Sequence, residues 1–232
     1  KIKAKMSFNG TTKAKRQYKL RPDRPNQPLS SKHSANSNKP GTNPNGDACP
    51  IASKTCVDGE PISLVTGEEL LEQEDFTLPG LIPFTWKRLY RTSNPRNRGL
   101  GHGWTFPTCE TLQIGNDAIL YNDAEGRQIE LPVPEIGQFT TNSAEGLFLH
   151  RDWHTVFYLK QPGQPDKLFI GKDTLKLAAL IDTVGNRWDC FYNQQNQQIE
   201  RLEASWGAVL EFQNSDKGQI QSIRERTSEG HK

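Results

Sequence analysis

Apolar residues are scarce in this chain. Hydrophobic residues make up 33% of its 232 positions, and there is one methionine. That share is well below the usual one for a globular domain, and together with the many glycines and prolines it does not suit a long helical protein. No run of 18 apolar residues occurs, so no helical span crosses a membrane. Lys1-Ile2-Lys3-Ala4-Lys5 is not followed by the apolar stretch of a signal peptide. The net charge is only +2, which argues against steering of the whole chain toward nucleic acid. No P-loop and no Rossmann glycine fingerprint is present. Ser205-Trp206-Gly207 is not a nucleophile elbow, because the G-x-S-x-G pattern is missing. There is no initiating methionine, so the chain reads as a piece of something longer.

Turn formers are abundant instead: 19 glycines and 15 prolines. They divide the chain from Cys109 onward into short strands at a spacing that suits an antiparallel meander. Thr111–Ile114 and Ala118–Tyr121 flank Gly115-Asn116-Asp117, a hairpin signal. Further strands are expected at Leu147–Leu149, Thr155–Leu159, Lys167–Ile170, Leu175–Ile181, Trp188–Tyr192, Ile199–Ser205, Ala208–Gln213 and Ile220–Arg224. Residues 1–24 are basic, and 25–47 are rich in Asn, Ser, Pro and Gly with almost no apolar content. Such a stretch cannot bury enough surface to offset its ordering entropy. Residues 1–48 are therefore read as a flexible basic and polar arm. It is a solvated linker, a tether toward an upstream domain or a partner, a strand threaded through a shell, or a basic arm for nucleic acid with few aromatics to support it.

Asp58 to Trp104 carries the densest pattern. In Pro83-Phe84-Thr85-Trp86-Lys87-Arg88-Leu89-Tyr90-Arg91, strand alternation puts Phe84, Trp86, Arg88 and Tyr90 on one face. Gly99, Gly101 and Gly103 bracket His102 before Trp104, a sign of close backbone approach or positive φ. Gly59, Pro61, Thr66-Gly67-Glu68, Asp75-Phe76, Leu78-Pro79-Gly80, Trp86, Arg88, Tyr90 and Gly103-Trp104 fall in an order that resembles the N-terminal plug segment of Rhs proteins. These are the YD-repeat polymorphic toxins of bacteria. Tyr121–Arg127, Asp182–Arg187, Phe191–Ile199 and Phe212–Ile220 resemble degenerate YD repeats. In each, Asp or Asn caps a turn and the next Gly or Asn takes positive φ, with Asn196 standing for glycine in the third. The aspartyl self-cleavage motif that Rhs shells carry near their C-terminal end is absent.

The resemblance implies an all-β chain with an extended N-terminal arm and an antiparallel meander of YD-type hairpins forming part of an Rhs shell. Residues 49–106 would be the plug segment and 107–232 the first shell strands. Phe76, Pro79, Phe84, Trp86, Arg88, Tyr90, His102 and Trp104 would form the plug core. The role would be structural: to seal and begin a β-cage around a C-terminal toxin, and to dock on the type VI secretion spike. The implied partners are the remaining shell polypeptide, the enclosed toxin domain and the spike or its tip protein, with no nucleic acid and no membrane span. The chain would reside in the bacterial cytoplasm before delivery and then pass into a target cell. No catalytic residue, cofactor or metal is expected in this chain, the toxin activity belonging to a domain beyond it. The alternative is an adhesin-like or carbohydrate-binding β module of a YD-repeat surface protein, which would use the aromatic set as a ligand platform.

Other chemistry has weaker support. Cys49 and Cys56, with six residues between them, lack the usual zinc spacing. They are a possible disulfide in an oxidising compartment, or else reduced thiols. Cys109 and Cys190 sit in strand patterns as small core residues. Glu68, Glu69, Glu72, Glu74 and Asp75 form an acidic cluster. It reads as paired carboxylates for acid–base work, as a solvated face, or as partners for Arg88, Arg91, Arg96 and Arg98. His102 is a candidate general base or a turn residue packed beside Trp104.

Overall fold

The computed structural model describes residues 35–52, 57–58 and 62–226. All of the regular structure there is strand, and nearly all pairing is antiparallel. The short strands β1 (Asn36–Ser37), β2 (Val57–Asp58) and β3 (Ile62–Ser63) come first. A three-stranded sheet follows: β4 (Leu70–Leu78), β5 (Phe84–Arg91) and β6 (Trp104–Thr105). The main sheet contains β7 (Thr111–Ile114), β8 (Ala118–Asn122), β9 (Gln128–Pro132), β10 (Phe139–Asn142), β11 (Leu147–Trp153) and β12 (Val156–Lys160). It continues through β13 (Asp166–Gly171), β14 (Thr174–Ile181), β15 (Arg187–Tyr192), β16 (Ile199–Ala204), β17 (Val209–Asn214) and β18 (Ile220–Arg226). The all-β, antiparallel hairpin architecture expected from the turn spacing is what the chain adopts.

The main sheet forks at β14. Thr174–Lys176 pair with β7, whereas Ala179–Ile181 pair with β15. A register shift against β13 leaves Ala178 as the extra residue. Such a bulge bends the strand and increases its twist, so one strand serves two diverging ladders. Along one arm, strands β9-β8-β7-β14-β13-β12-β11-β10 curl around a mostly aliphatic interior. Alternate residues point inward: Ile119 and Tyr121, Ile129 and Leu131, Phe157 and Leu159, Leu175 and Leu177. The curled sheet is not a closed barrel, because no ladder joins β9 to β10. Side chains span the gap instead. Thr140 Oγ1 donates to the Pro132 carbonyl at 2.7 Å, and Asn142 Nδ2 donates to the Glu130 carbonyl at 3.0 Å.

The chain just before Cys49 lies along this gap. β1 runs parallel to β10, and Thr42 exchanges backbone hydrogen bonds of 2.9 and 2.8 Å with Gln128 of β9. Residues 1–34 of the expected arm lie outside the described residues, but 35–48 are not a free arm. The polar composition that reads as linker there satisfies polar groups at a sheet seam rather than burying apolar surface. Asn43 is 1% exposed and Cys49 is buried.

The other arm of the fork, β15–β18, stays open and is covered on one face by β4–β6. Phe84, Trp86 and Phe106 pack there on Trp188, Leu202, Leu210 and Phe212. Trp188 Nε1 donates to the Ile82 carbonyl at 2.9 Å, which satisfies a buried donor. Leu180 and Cys190 touch both cores. Among the described residues, β18 pairs only with β17.

Candidate functional site

Within the expected plug, the structure divides the eight core candidates. Phe84 and Trp86 are buried, with Phe76 stacked on Trp86 at 6.4 Å between centroids. Trp86 also meets Phe106 at 5.1 Å and Phe212 at 5.4 Å. Arg88, Tyr90 and Trp104 form a separate, half-exposed stack. Tyr90 and Trp104 lie 5.4 Å apart, and the Arg88 guanidinium sits 5.2 Å over the Trp104 ring. Pro79 and His102 are exposed. His102 Nδ1 lies 2.8 Å from the Pro95 carbonyl, at the turn where Asn97 bridges His102.

The single face expected for β5 does not persist along the strand. Its first half buries Phe84 and Trp86, but its second half buries Leu89 and Arg91 from the opposite face. Asp75 is the extra residue of a bulge in β4, between the pairs Glu74↔Lys87 and Phe76↔Trp86. The added twist turns the two ends of β5 toward different neighbours. Asp75 itself holds Arg88 through two hydrogen bonds of 2.6 and 2.7 Å.

Gly103 shows why the Gly-Trp pair takes its form. Its φ is +84°, and a Cβ there would lie 2.4 Å from a Tyr90 ring carbon and 3.0 Å from the Arg91 carbonyl. Only glycine fits. Upstream, Asn97 Oδ1 accepts from the amides of Gly99 and Gly101 at 3.0 and 3.2 Å. The Gly99 carbonyl accepts from Ile220 N at 2.7 Å, tying this loop to the start of β18.

The acidic cluster separates by burial. Glu69, Glu72 and Glu74 face solvent, while Glu68 is buried and paired with Arg91, whose side chain is 1% exposed. Glu68 also accepts from Asn43 Nδ2 at 2.7 Å and Ser93 Oγ at 3.1 Å. Arg91 Nε donates to the Glu125 carbonyl at 2.6 Å. A second buried cation, Arg127, pairs with Asp123 at 2.9 Å and Glu145 at 3.0 Å. Glu145 in turn accepts from the Gly41 amide at 2.6 Å, and Glu125 accepts from the Ala52 amide at 2.7 Å. Burial pushes the Glu125 carboxyl above its ordinary range. This network fastens residues 41–52 and the end of β5 to the β8–β9 hairpin. The ion-pair reading of the cluster with those arginines therefore holds for Glu68 and Asp75, while Glu72 pairs with Lys87 at 2.6 Å. Asn43, Asp123, Arg127 and Glu145 are the participants that sequence reasoning missed. Asp123 and Arg127 belong to the Tyr121–Arg127 turn unit, but no local pattern marks their pairing across the chain with Glu145 and the segment around Asn43.

The repeated turns share one geometry. Asp123 Oδ1 accepts from Glu125 N and Arg127 N, and Asp182 Oδ1 accepts from Val184 N and Asn186 N. Gly126 and Gly185 take the positive φ. In the third unit the loop is one residue longer, so positive φ falls on Gln197 rather than on Asn196. Asn43–Asp47 forms the same turn, with Gly46 at φ +93°. Cys49 is a free thiol pushed up to about 11 by burial, and Cys56 lies outside the described residues. Among the described residues, no group of three or more His, Cys, Asp or Glu side chains is arranged to hold a metal.

The fold and its buried network define an all-β module of curled and covered antiparallel sheet. Residues 59–131 match the family model described as a domain of unknown function, DUF6531. Toxin protein Tse5 of Pseudomonas aeruginosa is 38% identical over 95 residues, covering 40% of this chain and 7% of that protein. Double-stranded DNA deaminase toxin A of Burkholderia cenocepacia is 26% identical over 173 residues, covering 71% of this chain and 11% of that protein. The chain thus spans only 7% and 11% of the lengths of these curated relatives. It is related to the Rhs polymorphic toxins.

Proposed function

We propose that this chain is a structural part of an Rhs effector that seals and begins a β-cage around a toxin carried on the same parent polypeptide. The observation that carries the reading is the asymmetry of the forked sheet. One arm curls up and is stitched at its seam by residues 35–49, while the other ends in β18, whose outer edge has no strand partner among the described residues. An edge of unpaired N–H and C=O groups is a template for a further strand, which a longer shell would supply. The toxin names of much longer relatives support the same reading. In this reading catalysis belongs to the toxin and not to this chain. The plug segment faces the type VI spike, and delivery carries the assembly from the bacterial cytoplasm into a target cell.

The carbohydrate-platform alternative loses ground, because Phe84 and Trp86 are buried and Arg88 already covers the Trp104 ring. Size-exclusion chromatography with mass spectrometry of the native assembly tests the proposal. Co-elution with a much larger polypeptide is the expected result. Recovery of this chain from its native source with no larger polypeptide attached overturns it.

A further inference from the structure

The fork in the main sheet leaves a cleft of about 200 Å³ where β7 and β15 diverge. Its position follows from the pairing. Residues of β14 between Lys176 and Ala179 belong to neither ladder, and the Tyr192 hydroxyl donates to the freed Leu177 carbonyl at 2.9 Å. Lys176 enters from β14, lies 4.8 Å over the Tyr192 ring and donates to the Gln197 carbonyl at 2.5 Å. Gln197 is a non-glycine residue held at φ +60°. Backbone in that region is costly and clusters at functional sites.

Charge and hydrogen bonding in this cleft are unbalanced in one direction. Arg98 lines it, half-buried, with no carboxylate and no hydrogen-bond partner for its guanidinium among the described residues. Glu110 is the acidic residue in the wall, and both its oxygens are taken. Lys167 donates to one at 2.8 Å and Tyr121 to the other at 2.6 Å. The Thr108 hydroxyl also lines the cleft, buried and without a partner. A buried polar group left in that state is destabilising. Asn196 uses its side-chain oxygen on the Gln198 amide at 3.0 Å, which leaves its amino group free to donate. The cleft therefore offers two cations, a hydroxyl and an amide, and its one acid, Glu110, is already paired with Lys167.

We propose that this cleft binds a phosphate group, held by Arg98 and Lys176 with Thr108 and Asn196 as neutral donors. Two uncompensated cations favour a doubly charged oxyanion over a single carboxylate, and charge-assisted bonds from Arg and Lys are the strong ones. The field agrees: burial first, then repulsion from Arg98, hold both Lys176 and Arg96 below their usual ranges. This site is independent of the cage reading and stands or falls without it.

Isothermal titration of the 232-residue chain with inorganic phosphate, at fixed ionic strength in chloride, is the test. Glycerol 3-phosphate in a second arm separates a free ion from a phosphate ester, and acetate in a third controls for general screening. Saturable phosphate binding is expected, with acetate far weaker. Arg98→Gln is expected to weaken phosphate binding by roughly tenfold or more while leaving the melting temperature unchanged or raised, since it removes a repulsive charge. Thr108→Val is expected to melt no lower than the native chain and to bind phosphate more weakly. Absence of saturable heat, equal response to acetate and phosphate, or native affinity in either variant overturns the proposal.

Discussion

The two arms of the fork solve the same problem by different means. The curled arm, β7–β14, wraps around its own mostly aliphatic side chains and is closed by a thin polar segment along its seam. The open arm, β15–β18, cannot wrap, so it buries one face under β4–β6 with large aromatics. Trp86, Trp188 and Phe212 fill that interface. The curled arm therefore keeps its edges to itself, while the open arm has no further strand on β18 among the described residues. The difference places self-sufficiency and extensibility in separate halves of a single sheet. The buried ion pairs of Arg91 and Arg127 lie between the halves, where the covering sheet meets the curled one.

Removing Trp86 is the strongest way to break this comparison. Trp86→Ala should cost about 3–5 kcal/mol, the usual range for emptying a buried aromatic site. Native-state hydrogen exchange should show the loss in β4–β6 and β15–β17, with β11–β13 still protected. Equal loss of protection in β11–β13 would mean that the two cores are one cooperative unit. Arg91→Met should come next, at about 3 kcal/mol, because it leaves Glu68 buried without its cation. Urea denaturation of Arg91→Met and of the double variant Arg91→Met/Glu68→Gln decides the cause. The double variant should recover much of the loss; if it does not, packing of the Arg91 stem on Gly126 matters more than charge. Gly103→Ala should cost about 2 kcal/mol through positive φ and collision with Tyr90. A thermal melt equal to the native one would mean that the Tyr90–Trp104 stack moves aside freely.

The hairpins were legible in the sequence because each turn carries its own signal. Asp123 and Asp182 bond amides two and four residues on, so a short window contains the whole mechanism. Asn43–Asp47 uses the same chemistry but sits in a stretch so polar that it reads as linker. β4 carries no strand signal in the sequence, because its exposed run Leu71–Asp75 shows no apolar alternation. For β5 the parity of side chains was legible but their burial was not, since the bulge at Asp75 decides which neighbour each end meets. Glu68 and Arg91 are 23 residues apart, and their pairing depends on how β4 and β5 close. The acidic cluster and its candidate arginines were visible, but which carboxylate went inside was set by tertiary packing. The Arg98–Lys176 cleft had no sequence signature, because a sheet fork brings those two residues together.

The smallest expected effect concerns Glu125, on the hairpin that the seam segment grips. Burial raises its carboxyl above the ordinary range, so the folded chain holds that proton more tightly than the unfolded chain does. The sign follows from linkage. The stability linked to this proton is fully present below the unfolded value, about 4.3 for a glutamate. It is lost as pH rises through the folded value. Glu125→Gln removes the titration but keeps a side-chain oxygen for the Ala52 amide. Urea midpoints of native chain and variant, followed from acid to neutral pH, should therefore diverge in one direction, with the native chain losing ground as pH rises. Parallel curves would mean that Glu125 is as well solvated in the fold as outside it, and that residues 49–52 lie on the hairpin surface instead of sealing it. A divergence confined to chains that retain Asn43 would place the seam segment and the hairpin in one cooperative unit, distinct from the open arm.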